Sequence, residues 1–195
     1  FGYLKRPTAR NTEQDKAKFE VCNHKYTDLS ETRYGVSILN DCKYGISVKD
    51  SRMHLSLHKG GVRPDWTGDH GKHRCTYVFH PHRGGFGAEQ VIKPAYELNY
   101  PVLTADTAAA KPSFVRVDAD NVVIETVKPC EDAQRAYILR MYEAEGCHCR
   151  AALIFRDSNV KLYATDMLEE NAVPCDTTLS FRPFEIKTIK VVYGE

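Results

Sequence analysis

The chain has 195 residues, 42% of them hydrophobic, enough for one large or two small domains with a real core. Its 27 Lys and Arg against 26 Asp and Glu give no electrostatic case for a nucleic-acid partner. The longest apolar runs, such as Ala151 to Phe155, fall far short of the roughly 20 residues that span a membrane.

The N-terminus, Phe1-Gly2-Tyr3-Leu4-Lys5-Arg6-Pro7, is neither a signal peptide nor a start methionine, so a fragment of something longer is expected. Strand patterns follow in chain order: Lys18–Cys22 around Phe19 and Val21, the β-branched run Gly35–Leu39, and Met53–Leu57 with Met53, Leu55 and Leu57 on one face. Cys75–Phe79 alternates in the same way. Turn signals separate these runs at Lys43-Tyr44-Gly45, Lys49-Asp50-Ser51, Gly60-Gly61, Gly68 to Gly71 and Gly84-Gly85. Short strands between polar, Gly-bearing turns predict an antiparallel all-β domain. Ala88–Leu98 interrupts the pattern with Val91, Ile92, Ala95 and Leu98 at helical spacing. Pro94 limits it to a short helix or an irregular crossover.

Thr104–Pro112 is small, polar and free of large apolar residues, and reads as a linker. Strands resume at Phe114–Val117, Val122–Thr126, Ala136–Tyr142, Arg150–Phe155, Thr178–Phe181 and Ile186–Tyr193. Ile186–Tyr193 sets Ile189, Val191 and Tyr193 on one face. The second half is therefore a separate small β-sandwich. The expected boundaries are a first β domain over 1–103, a linker over 104–113 and the small sandwich over 114–195.

Seven cysteines, at 22, 42, 75, 130, 147, 149 and 175, are odd in number and fit no disulfide scaffold. With no Asn-x-Ser/Thr sequon, reduced thiols in a cytoplasmic protein are expected. His70, His73, His80 and His82 invite a metal reading, but zinc needs three or four converging ligands, and loop and strand-end histidines satisfied by hydrogen bonds are the favoured reading. Cys147-His148-Cys149 is too tight for a zinc knuckle and is expected to put both thiols on one face of a strand, in core packing. No carboxylate pair, nucleophile elbow, phosphate loop or dinucleotide fingerprint stands out, so neither a catalytic nor a metal-ligating residue is assigned.

Four collinear segments go further. Arg6-Pro7-Thr8 with Asn11-Thr12 and Asp15 comes first, then Lys18 to Lys25 leading into Asp28-Leu29-Ser30-Glu31. Tyr34-Gly35-Val36-Ser37-Ile38-Leu39-Asn40-Asp41-Cys42-Lys43-Tyr44-Gly45 is the most specific, and Leu55-Ser56-Leu57 runs on through Pro64-Asp65, Asp69, Gly71, His73 and Tyr77 to Pro81-His82. In order and spacing they resemble the C-terminal part of cytosolic-type class II α-mannosidases, glycoside hydrolase family 38. A looser likeness continues through Val122–Lys128, Leu139–Gly146, Asp166–Glu170 and Pro183–Thr188.

The resemblance implies an antiparallel β-sandwich, part of a supersandwich, followed by a second small β-sandwich. It implies a parent enzyme that removes terminal α-linked mannose with retention. Zinc or another divalent ion is expected in that enzyme's N-terminal catalytic domain, which is the implied partner along with a mannose-containing oligosaccharide; no cofactor is expected in this chain. Asp41, Tyr44 and Lys59 are the candidate substrate-binding residues, Lys59 standing where the family carries an arginine near the substrate entrance. Departures at Glu13-Gln14, at His58 to Gly61 and at Asp65 to Asp69 put substrate preference in question. The chain alone is expected to be inactive, and a homo-oligomer is left open. Because part of a larger sheet would be missing, an exposed apolar face or edge is expected. The alternative is a free-standing carbohydrate-binding β-sandwich using Trp66 and Tyr44.

Overall fold

The structure, a computed structural model, describes residues 1–104 and 113–194. Most of the predicted linker, 105–112, lies outside the described residues. The fold is all-β in class, built from antiparallel sheets with little helix. The chain divides into two compact units, one of residues 5–103 and one of 1–4 together with 104–195.

The 5–103 unit opens with helix α1 (Glu13–Ala17), then strands β1 (Val21–Cys22), β2 (Tyr26–Ser30), β3 (Tyr34–Asn40), β4 (Gly45–Lys49), β5 (Arg52–Ser56) and β6 (Tyr77–Arg83). A π-helical turn at Ala88–Ile92 runs into helix α2 (Lys93–Asn99). Helix α1 carries no apolar periodicity and is set by its capping box, Thr12 against Asp15. Pro94 is tolerated because it sits in the first turn of α2, where its missing N–H costs nothing. One sheet has the order β1-β4-β5 and the other β2-β3-β6.

In β3 the residues Gly35, Ser37 and Leu39 are buried, and Leu39 packs with Val91 and Ala95 of the helical segment. Beside this apolar patch lies a polar cross-link. Asp28 on β2 accepts hydrogen bonds from Ser37 Oγ on β3 at 2.7 Å and from His82 Nε2 on β6 at 2.9 Å. Gly35 makes room for it, since a Cβ there would lie 2.4 Å from Ser30 Cβ and 2.5 Å from the His82 ring.

The second unit holds β7 (Val115–Val117), β8 (Val122–Pro129), β9 (Ala136–Glu143), β10 (Cys149–Phe155), β11 (Val160–Thr165), β12 (Val173–Cys175), β13 (Thr178–Phe181) and β14 (Ile186–Tyr193). A five-stranded sheet, β12-β11-β14-β9-β8, faces a three-stranded one, β13-β10-β7. Their core interleaves Leu139, Met141, Ile189 and Val191 with Leu153 and Phe181. Complete burial of one such side chain is worth about 1.5–3 kcal/mol, which fixes the register. Leu139 and Met141 therefore point inward, and the alternation of β14 puts Ile189 and Val191 beside them.

Glu143, at the end of β9, is fully buried. Its Oε1 accepts from the backbone N–H of Glu145 at 2.8 Å and from Asn121 Nδ2 at 2.9 Å. Its Oε2 accepts from the N–H groups of Gly146, Cys147 and Phe184 at 2.7, 3.1 and 3.0 Å. Burial pushes this carboxyl up, but the N–H donors, led by Phe184, outweigh it and hold it below the usual range. Cys147 is thus a residue of this turn rather than of a strand, its thiol 3.2 Å from Asn121 Nδ2, while Cys149 opens β10 and packs on the core. Only Cys149 follows the predicted core packing, because Gly146, with φ +77°, turns the chain just before Cys147, whose N–H is held by Glu143 ahead of β10.

Candidate functional site

Asp41 and Tyr44 lie in the turn between β3 and β4, and buried asparagines build that turn. Asn40 accepts from the Lys43 N–H through Oδ1 at 2.7 Å and donates through Nδ2 to Asn23 Oδ1 at 2.9 Å. The Asn23 N–H in turn donates to the Tyr44 carbonyl at 2.8 Å. Gly45 then enters β4 where a Cβ would stand 2.7 Å from the Glu20 carboxylate, which Ser56 Oγ hydrogen-bonds. The Tyr44 ring is left half-exposed, 4.7 Å from the His24 ring.

The Asp41 carboxylate accepts from the Thr76 N–H at 3.0 Å through both oxygens, and the Asp41 N–H donates to the Thr76 carbonyl at 3.2 Å. Asp41 therefore clamps its turn to the residue that leads into β6. Hydrogen bonds from the Cys42 thiol and then from Thr76 hold its carboxyl below the usual range, and the same contact raises the Cys42 thiol.

Lys59 is in the long connection 57–76 between β5 and β6. Strand register gathers these pieces at one end of the unit. Gly45 pairs with both Cys22 and Ser56, and Asn40 pairs with Tyr77. The residues just beyond those pairs, His24, Tyr44, Asp41, Thr76 and the 57–76 connection, consequently emerge together. Asp41 and Tyr44 share one turn, whereas no hydrogen bond, ion pair or ring contact joins Lys59 to either among the described residues.

The connection is braced from within. His58 and His73 rings lie 4.8 Å apart, His73 Nε2 reaches the Asp69 carbonyl at 2.6 Å, and Asp65 caps Thr67 at 2.9 Å. Trp66 is 71% exposed, with the Arg63 guanidinium 5.9 Å from its ring centre. His80 and His82 share a face with rings 6.0 Å apart, but each has its own partner, the Gln90 carbonyl and Asp28. Among the described residues no three His, Cys, Asp or Glu side chains converge where a metal could sit. Asn23 and Asn40 carry the turn and escaped the sequence reading, although both fall inside the motif segments.

Residues 1–67 match the family model described as the glycosyl hydrolases family 38 C-terminal domain, and residues 121–189 match the family 38 C-terminal beta sandwich domain. The chain belongs to the C-terminal region of glycosyl hydrolase family 38. Among family relatives, it is 39% identical over 205 residues to alpha-mannosidase 2C1 of Homo sapiens, covering 98% of this chain and 20% of that protein. Alpha-mannosidase G of Dictyostelium discoideum is 34% identical, at 98% of this chain and 19% of that one. The chain therefore spans about a fifth of the length of the curated relatives it matches. The crystal structure of an alpha-mannosidase from Enterococcus faecalis V583 shares the fold, with TM-score 0.74, 17% identity, and coverage of 97% of this chain and 23% of that one.

Proposed function

We propose that this chain is the non-catalytic C-terminal β region of a longer α-mannosidase, bracing its N-terminal catalytic domain and lining the entrance for a mannose-containing oligosaccharide. The parent would remove terminal α-linked mannose with retention, its divalent ion and nucleophile lying outside this chain. The observation that carries the reading is the gathering of the Asn40–Gly45 turn and the 57–76 connection at one end of the unit. Tyr44 offers a half-exposed ring for a sugar face and Lys59 a charged donor for hydroxyls. Asp41, both of whose oxygens are held by Thr76, positions the connection. Seven free thiols, three of them exposed, support a reducing, cytoplasmic setting; no helix among the described residues is long and apolar enough to cross a membrane.

The test is Lys59→Ala in the full-length enzyme. Loss of one charged hydrogen bond to substrate predicts a fall in kcat/KM of about tenfold with melting temperature unchanged. Unchanged kinetics would remove Lys59 from the site. Asp41→Ala raises KM more than it lowers kcat, and Asp41→Asn, which still accepts from Thr76, restores it. The exposure of Trp66 supports the second reading, a carbohydrate-binding module. In that case the isolated chain binds mannose oligosaccharides and Trp66→Ala abolishes the binding.

A further inference from the structure

Strands β3 and β6 keep one register throughout, from Tyr34 opposite Arg83 to Asn40 opposite Tyr77. The same count continues one step past the ladder, where the Asp41 N–H donates to the Thr76 carbonyl at 3.2 Å. One step further it sets Cys42 opposite Cys75. Because Asp41 and Thr76 meet through a backbone hydrogen bond, the next pair is of the non-hydrogen-bonded kind. Such pairs bring Cα atoms to about 4.5 Å, within the roughly 4.4–6.8 Å that a disulfide bridges. The Cys42 thiol reaches the Arg74 carbonyl at 3.9 Å, against the peptide bond that leads into Cys75. Its hydrogen bond to Asp41 holds it above the usual thiol range, and Cys75 is close enough to add to the rise. Both are free thiols, Cys42 exposed and Cys75 half-buried. Cysteines within the strands face other residues: Cys22 is opposite Gly45, Cys149 opposite Phe181 and Cys175 opposite Leu162.

We infer that Cys42 and Cys75 form a reversible thiol–disulfide site, oxidised by a low-molecular-weight disulfide. Cys42, the exposed partner, loses its proton and its thiolate attacks one sulfur of the small disulfide. That breaks the small S–S bond, leaves a mixed disulfide on Cys42 and releases one small thiolate. The Cys75 thiolate then attacks Cys42 Sγ, forming the Cys42–Cys75 bond and expelling the second small thiolate. The two protein thiols lose two electrons, the small disulfide gains them, and the two protons end on the two small thiols. The closed bond staples the Asn40–Gly45 turn to the end of the 57–76 connection, beside the clasp of Asp41 on Thr76. It closes a loop that carries β4, β5 and Lys59, and it takes from Asp41 its thiol donor. With Cys42 exposed, a reducing thiol can reach the bond and open it again.

The test takes the whole 195-residue chain through buffers of rising oxidised-to-reduced glutathione ratio, traps free thiols with an alkylating reagent and maps tryptic peptides without reduction. Cleavage after Arg33, Lys43, Arg74 and Arg83 puts the two cysteines on separate peptides, 34–43 and 75–83. The expected result is a linked pair of those peptides, lighter than their sum by two hydrogens, that is lost when reduced glutathione is restored. Oxidation is expected to raise the melting temperature of the wild type by about 5 °C, since closing a long loop restricts the unfolded chain. Cys75→Ser should show neither effect and Cys22→Ser should show both. Mapping the wild type needs no variant, so a Cys75→Ser chain that fails to fold leaves the test intact. Recovery of Cys75 in alkylated form at every ratio overturns the proposal, as does a bond from Cys42 to Cys22. A 34–43 to 75–83 link that vanishes on dilution overturns it too, by making the bond one between two copies. A link that excess reduced glutathione cannot open, or one that leaves the melting temperature unmoved, likewise refutes a reversible staple.

Discussion

Replacing Glu143 by Gln changes one atom and one charge inside a ring of five donors. Keeping Oε2 as the amide oxygen preserves the bonds from Gly146, Cys147 and Phe184 but aims an NH2 group at the Glu145 N–H and at Asn121. Asn121 can turn its own oxygen toward that group, whereas the Glu145 N–H has no such freedom. One unpaired buried N–H costs about 1–3 kcal/mol, and removing the charge weakens each retained bond by roughly 1 kcal/mol. Against this, a buried charge no longer has to be desolvated. The net loss is about 2–4 kcal/mol, read as a lower midpoint in urea unfolding at unchanged slope. The carboxyl is depressed in the folded state, so its stabilisation is complete above the unfolded pKa of about 4.3 and is lost as pH falls through the lower folded value. Wild type should therefore lose stability on acidification below about pH 4.3 more steeply than Glu143→Gln. A loss under about 1 kcal/mol with identical acid limbs would refute the reasoning and mean that the site holds a protonated acid.

Gly35→Ala drives a methyl into Ser30 and the His82 ring, so it should separate His82 from Asp28 and cost about 3 kcal/mol or more in calorimetry. Gly146→Ala meets both a positive φ and the Phe184 ring at 2.7 Å, and should destabilise by about 1–3 kcal/mol in urea unfolding. Asn40→Ala strips the Asn40–Gly45 turn of its support at Lys43; the Tyr44 ring should become more mobile, seen as broadened aromatic resonances, with folding retained.

Alternation made the inward faces of β9 and β14 readable from the sequence, because Leu139, Met141, Ile189 and Val191 are apolar in a two-residue period. Strand β2 escapes a sequence reading because the face that meets the core carries Tyr26 and then Asp28, a charge that resembles a solvent-facing residue until His82 and Ser37 arrive from β6 and β3. The run Cys75–Phe79 starts two residues before the ladder, which begins at Tyr77 because Asp41 holds Thr76, and stops four short of the strand's end at Arg83. Glu143 falls inside the Leu139–Gly146 likeness, but its role is invisible there, since four of its five donors are backbone N–H groups, one of them 41 residues away. Of the candidate site, the Asn40–Gly45 turn was legible as a specific string. The reason for its shape was not, because the support comes from Asn23 and from the far end of the 57–76 connection.

The first four residues pack with the unit that begins at Thr104. Phe1 stacks edge-on against Tyr142 at 5.2 Å, and Tyr3 donates to the Glu145 carbonyl across 142 positions of sequence. On the ribosome, at roughly 5–20 residues per second, these residues wait on the order of 10 s for the partners they will touch. During that interval residues 5–103 can complete all their own strand pairs, since none of those pairs reaches past Arg83. Synthesis thus gives this chain a timetable: residues 5–103 can fold as soon as they are made, and the later-made sandwich closes last, taking up a tetrapeptide that has waited through all of it.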